Sequence, residues 1–239
     1  MSRAKAARAI KPVETDLPPV GSAAHPGRYL GRGLFMTVNS KVLSVAMIIL
    51  LSLVSVSFSS EETCYMMSSD KPCDLEIKDS VYHIETKGNL IVKHSGKAST
   101  IKINLPEYFY IERVEYHIFK NNIVFTFGIT DDDSGSAIIA QFDPTHYRLL
   151  WATEINAFNI SPLLISQNYI YVGGIGMVAK LKITDGKKVW QHRDLYVSGS
   201  GIYNSFKLPK KEGNTIVFPD ESSDREVRVD DATGKILSR

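Results

Sequence analysis

Cysteine is scarce in this 239-residue chain: Cys64 and Cys73 are the only two. Two thiols with no histidine between them make a poor zinc set. In an oxidising compartment an even pair this close reads as one local disulfide, Cys64–Cys73. Histidine is thin as well, with six residues at 25, 83, 94, 117, 146 and 192, and no spacing aims two imidazoles at one metal. The chain has no Gly-x-Ser-x-Gly elbow, no His-Glu-x-x-His and no phosphate-cradling glycine loop. Gly173-Gly174-Ile175-Gly176 runs from one apolar alternation into another and reads as a tight turn. Asp131-Asp132-Asp133-Ser134-Gly135-Ser136 carries the carboxylates a hard cation uses but not the terminal Glu of the twelve-residue pattern, and reads as a solvated hairpin loop. Neither sign of charge dominates. The formal net charge is +2, but from Ser60 onward 21 basic residues face 24 acidic ones, a net of −3. The basic excess therefore lies in the leader, which speaks against nucleic-acid binding. Ala-rich helical periodicity is missing too, whereas β-branched and aromatic residues in short alternating runs are plentiful, the pattern of strands.

One long apolar run is present. Val42–Phe58 holds 17 residues without a charge, with Lys41 before it and Glu61-Glu62 after it. That is short for a membrane span of about 20 residues and long for a signal core of about 7–15. Small residues follow it, Ser57, Ser59 and Ser60, and Met36-Thr37-Val38-Asn39-Ser40-Lys41 forms a compact positive start ahead of it. Residues 36–59 are thus expected to be a cleaved signal peptide, with residues 1–35, rich in Pro, Gly and Arg, a disordered or upstream extension. The alternative is an uncleaved single-pass anchor oriented by its basic N-terminus, the chain's one means of touching a membrane. Either reading puts the rest outside the cytoplasm, in the periplasm or secreted, with residues 60–80 as an N-terminal arm carrying the disulfide.

The remaining stretch repeats. Ala179-Lys180-Leu181-Lys182-Ile183-Thr184-Asp185-Gly186-Lys187-Lys188-Val189-Trp190 is two short alternations joined by a turn, and Ala140 and Trp151 show the same offset of eleven, with Tyr147 standing where Gly186 does. Val227 to Ser238 keeps the turn as Thr233-Gly234-Lys235 but has Ser238 in the Trp place. Asn122, Asn168 and Asn214, 46 residues apart twice over, each open an apolar strand. Two markers in phase mean a repeat of one supersecondary unit. These residues resemble the repeat of pyrroloquinoline-quinone-type (PQQ-like) β-propellers, in which a Thr-Gly turn and a Trp-bearing strand recur once per blade and the Trp docks between blades. The resemblance implies an all-β PQQ-like β-propeller, or partial propeller, of about four four-stranded blades over residues 81–239, with a degenerate first unit near Val81.

The catalytic members of that family oxidise alcohols or sugars with the quinone and calcium, in a ring of about eight blades with adjacent cysteines at the cofactor. This chain has neither the length nor the adjacent cysteines, so no cofactor, metal or catalytic residue is expected. Fold does not carry function. The reading is a non-catalytic, exported protein-binding or scaffold module, immunity-type proteins included, with a protein partner or a second copy of itself as what it binds. The alternatives are a remnant of a longer propeller protein and, least supported, a quinoprotein dehydrogenase fragment. Tyr108, Tyr110, Tyr203 and Phe206, beside long loops, are candidates for contact and equally for core, and the strand edges near Val81–Glu85 and Lys235–Arg239 are expected to pair with each other, with a second copy or with a partner.

Overall fold

The computed structural model describes residues 62–66, 72–131, 133–196 and 202–239, so the expected extension and signal peptide lie outside the described residues. Strand β1 (Glu62–Tyr65) opens the described part. It is followed by β2 (Cys73–Ile77), β3 (Ser80–Ile84), β4 (Asn89–His94) and β5 (Lys97–Lys102), which form the first sheet in that order. The second sheet holds β6 (Tyr110–Phe119), β7 (Asn122–Thr130), β8 (Gly135–Asp143) and β9 (Arg148–Ile155). The third holds β10 (Leu164–Ser166), β11 (Tyr169–Gly174), β12 (Met177–Lys182) and β13 (Lys188–His192), and the fourth β14 (Lys210–Glu212), β15 (Thr215–Pro219), β16 (Glu226–Asp230) and β17 (Ile236–Ser238). Each sheet is an antiparallel meander in chain order, and β1 adds a fifth strand to the free edge of β6. The architecture is all-β and propeller-type, with four blades.

The burial of each strand follows from its neighbours. In β2, Cys73, Leu75 and Ile77 are buried while Asp74 and Glu76 face water, because the first sheet has one covered face. The second sheet is covered on both faces, so β8 reads as an almost unbroken apolar run, Ala137 to Phe142, interrupted only by Gln141. Three cores form between consecutive sheets. Tyr82, Leu90 and Val92 of the first pack with Phe125, Phe127 and Phe142 of the second. Val124, Ile139 and Trp151 meet Val172, Ala179 and Leu181 of the third, and Tyr171 and Val178 meet Ile216 and Phe218 of the fourth. Among the described residues no core cluster joins the first sheet to the fourth.

Two expected boundaries move. The first blade begins at Cys73 and not near Val81, since the segment 73–77 alternates and pairs with β3 along its whole length. Val81 to Ile84 is consequently no edge: β3 is bonded to β2 on one side and to β4 on the other. The arm residues carry the strand that the disulfide would have hidden, and the Cys64–Cys73 bond links β1, on the second sheet, to β2, on the first. Ile236–Ser238 does lie at an edge, as the outermost strand of the fourth sheet.

Candidate recognition surface

The repeat residues do one job twice. Trp151, on the last strand of the second sheet, stands over the β12–β13 turn of the third, where a Cβ on Gly186 would lie 2.5 Å from the indole Cε3. Trp190, on the last strand of the third sheet, stands over Gly234 of the fourth, where a Cβ would lie 2.7 Å from Cγ. Both glycines also hold positive φ, 68° and 74°, which any side chain would strain. The hydrogen bonds repeat as well. Trp151 Nε1 donates to the carbonyl of Ile183 at 2.8 Å and to Gln141 Oε1 at 2.9 Å. Trp190 Nε1 donates to the carbonyl of Asp231 at 3.2 Å. Ile183 and Asp231 each precede their turn glycine by three residues, and their N–H groups donate to the carbonyls of Asn168 and Asn214. Two residues after each Trp, Thr153 and His192 donate to the carbonyls of Gly186 and Gly234. One turn residue thus ties its own blade's Asn and the preceding blade's indole together.

The other repeat residues shape the turns. Asp185 Oδ1 accepts the Lys187 N–H at 3.1 Å, and the Thr233 N–H and hydroxyl both donate to Asp230 Oδ1. Asn122 is the first residue of β7, whereas Asn168 and Asn214 sit one position ahead of β11 and β15. Asp131, in the acidic loop, spends its Oδ1 on the N–H groups of Asp133 and Ser134 and on the Ser134 hydroxyl, so its carboxylate caps the turn. These bonds hold its pKa below the usual range.

A polar knot between the third and fourth sheets escaped the sequence reading. Lys180, 4 % exposed, donates through Nζ to Asp231 Oδ1 at 2.6 Å and to the Asp231 carbonyl at 2.8 Å. Its ammonium lies 3.9 Å from the centre of the Tyr169 ring. Lys211 reaches Asp231 Oδ2 at 2.8 Å, and the Tyr171 hydroxyl donates to Oδ1 at 2.7 Å. Burial pushes the Asp231 pKa up, but the bonds from Lys180, Lys211 and Tyr171 outweigh it and hold the carboxyl below its ordinary value. Burial, with the hydrogen bond to that carboxylate, drives the Tyr171 phenol upward. The knot is closed off by its own partners and serves the blade interface. Among the described residues no group of three or more His, Cys, Asp or Glu could hold a metal ion.

In these meanders the links between sheets and the turns between second and third strands fall at one end, opposite the Trp locks. That loop face displays apolar side chains in close succession. The Phe158 ring lies against Gly135, and the Phe158 carbonyl accepts the Ile175 N–H at 3.1 Å. Next to it Tyr203 covers Gly176. Tyr203 stacks on Tyr196 with ring centres 4.4 Å apart, and the Tyr196 hydroxyl donates to that of Tyr203 at 2.8 Å. Ile202 beside them is 66 % exposed. Of the four residues singled out by sequence, Tyr203 and Tyr108 are exposed, Tyr110 is half-buried, and Phe206 belongs to the core between the third and fourth sheets. Phe206 is inside because it packs on Gly173, where a Cβ would lie 2.6 Å from its own.

No family model matches the chain, and no curated protein matches it. Solved structures do. A europium-containing methanol dehydrogenase matches at 10 % identity and a TM-score of 0.46, over 70 % of this chain and 40 % of its own. The quinohemoprotein alcohol dehydrogenase ADHIIG from Pseudomonas putida HK5 matches at 10 % identity and 0.45, over 69 % and 33 %. BamB from Moraxella catarrhalis matches at 12 % identity and 0.35, over 75 % of this chain and 66 % of its own. The chain therefore spans well under half the length of the two dehydrogenases. No activity, ligand or partner is carried over from any of them.

What the arrangement offers chemically is a surface. Isolated apolar residues on a surface mean little, whereas a contiguous group rimmed by polar ones marks an interaction site. Here Phe158, Ile175, Tyr196, Ile202 and Tyr203 are all exposed; Tyr196 and Tyr203 stack, Tyr203 covers Gly176 next to Ile175, and Ile202 adjoins Tyr203 in the chain. The outer faces of the end sheets differ: Asp74 and Glu76 on the first, and Arg228 paired with Glu226 and Glu212 on the fourth.

Proposed function

We propose that this chain is an exported, non-catalytic recognition module whose loop face binds a protein partner. The observation that supports it most directly is the stacked Tyr196–Tyr203 pair with Ile202, Phe158 and Ile175 around it. Paired tyrosines offer large, rigid contact area with a polar tip at small entropic cost, the composition that protein interfaces concentrate. The charged residues on the outer faces of the end sheets, Asp74, Glu76 and Lys93 on the first and Arg228 with Glu226 on the fourth, favour this end for the role. The Cys64–Cys73 disulfide accords with an oxidising compartment, and so with export.

A photoreactive residue at position 202, in the native host, is expected to give a discrete adduct. The same residue at Lys93, on the polar face of the first sheet, is expected to give none. Adduct formation should be lost in a Tyr196→Ser, Phe158→Ser variant of unchanged stability. Equal adducts from both positions, or none from either, would sink the reading. For export, N-terminal sequencing of the mature protein is expected to start between Phe58 and Glu61, and an intact Met1 in soluble protein would contradict cleavage.

A further inference from the structure

The lock between blades occurs at two of the three sheet interfaces. Between the first and second sheets the indole is gone and the turn that would receive it is altered. The first sheet's last strand, β5, carries no Trp. In the second sheet's turn, Pro144 stands at the place of Ile183 and Asp231 and has no N–H to donate to the neighbouring turn. Tyr147 stands at the place of Gly186 and Gly234, and keeps the same left-handed backbone, φ 51°, without being a glycine. Beside this altered turn the structure opens a cleft of about 330 Å³, bordered by Tyr147, Pro144 and Thr145 on the second sheet and by Lys78, Ser80 and His94 on the first.

The lining selects the ligand. Lys78 and Asp79 both border the cleft, so its fixed charges offset and an anion or a cation gains little. Thr145 and Asn121 each donate and accept, as the hydroxyl groups of a ligand do, while the Ser80 hydroxyl is taken by His94. His94 is fixed through Nδ1, which contacts the Asp79 carbonyl and the Ser80 hydroxyl, both at 3.0 Å, leaving Nε2 for a ligand. Tyr147 adds an aromatic wall, its ring centre 6.3 Å from that of His94. Balanced charge, hydrogen-bonding groups on both sides and one aromatic wall fit a compact, neutral, hydroxyl-rich ring. The volume lies at the lower end of small-molecule sites, which run from about 300 to 1,000 Å³.

We propose that the notch between the first two sheets, where the indole lock is missing, binds a saccharide unit. The site is independent of the loop face, which lies at the other end of the sheets. The test is saturation-transfer NMR on the exported domain, with glucose, N-acetylglucosamine and the hexamer of each as probes, and inorganic phosphate and indole as controls. The deciding variants are Tyr147→Gly, which removes a ring packed in part against the core between the first two sheets and is read only where urea unfolding shows it folded, and Thr145→Val, which takes a hydroxyl from the exposed lip of the cleft. Saturation of sugar ring protons by the wild type and its loss in both variants is the expected result. Transfer to the monosaccharides identifies a free sugar as ligand, and transfer to the hexamers alone a glycan chain. No transfer to any sugar, equal transfer with folded Tyr147→Gly or with Thr145→Val, or binding of phosphate or indole in place of sugar would overturn the proposal.

Discussion

Replacing Trp151 by alanine is expected to lower the unfolding free energy by about 3–5 kcal/mol, the range for buried aromatics cut to Ala. The indole is 9 % exposed, fills the core between the second and third sheets, and stands over Gly186. Its loss leaves a cavity and takes the donor from the Ile183 carbonyl and from Gln141. Trp151→Phe keeps most of the packing and should cost only about 1–3 kcal/mol, chiefly for the unpaired acceptors. Trp190→Ala should cost less than Trp151→Ala, because Trp190 is half-buried and its bond, 3.2 Å to Asp231, is longer. Urea unfolding checks this ranking, read as midpoint shifts at constant slope. If Trp151→Ala were as mild as a surface substitution, or no worse than Trp190→Ala, the indole would not be the lock described above.

Removing Asp231 is expected to be about as severe. The carboxylate answers Lys180, Lys211 and Tyr171 together, so Asp231→Ala leaves a 4 % exposed ammonium without its anion. Breaking a buried pair from one side costs about 3–5 kcal/mol. Lys180→Met should be milder, since Asp231 keeps Lys211 and Tyr171 and the methionine stem fills the same space. The pH dependence has a definite sign. Asp231 has its pKa lowered in the native state, so its contribution is complete above the unfolded carboxylate value of about 3.9 and fades as pH falls through the native one. The stability gap between wild type and Asp231→Asn should therefore be full at neutral pH and narrow in acid. A gap that stays constant from neutral pH into strong acid would show that shape and not charge holds this interface.

The residues that could be read in advance are those whose role is local. A turn with a left-handed position favours glycine, and an alternating strand shows its period within five or six residues, so Gly186, Gly234 and the Asn-led strands stood out in the sequence alone. Turn chemistry could shift within that frame: Asp230 caps its turn from four residues ahead of Gly234, whereas Asp185 directly precedes Gly186. The first blade was harder to see because its last strand lacks the Trp, although its β4–β5 turn keeps a glycine, Gly96. Its opening strand, Cys73–Ile77, also lay within what read as a disulfide arm.

What only the tertiary structure decided is which face of each sheet meets another. Lys180 looks, by alternation, like an ordinary outward lysine of a strand. It is buried because a fourth sheet lies against the third and brings Asp231, 51 residues away, to its ammonium. The same dependence on a distant partner separates Phe206, covered by the fourth sheet, from Tyr203, which lies three residues earlier and remains on the surface. Sequence spacing by itself determined the repeat, because hydrogen-bonded turns and strand alternation act over a few residues. Packing between blades determined the locks, the polar knot and the exposed loop face, because each joins groups that the chain holds far apart until the sheets meet.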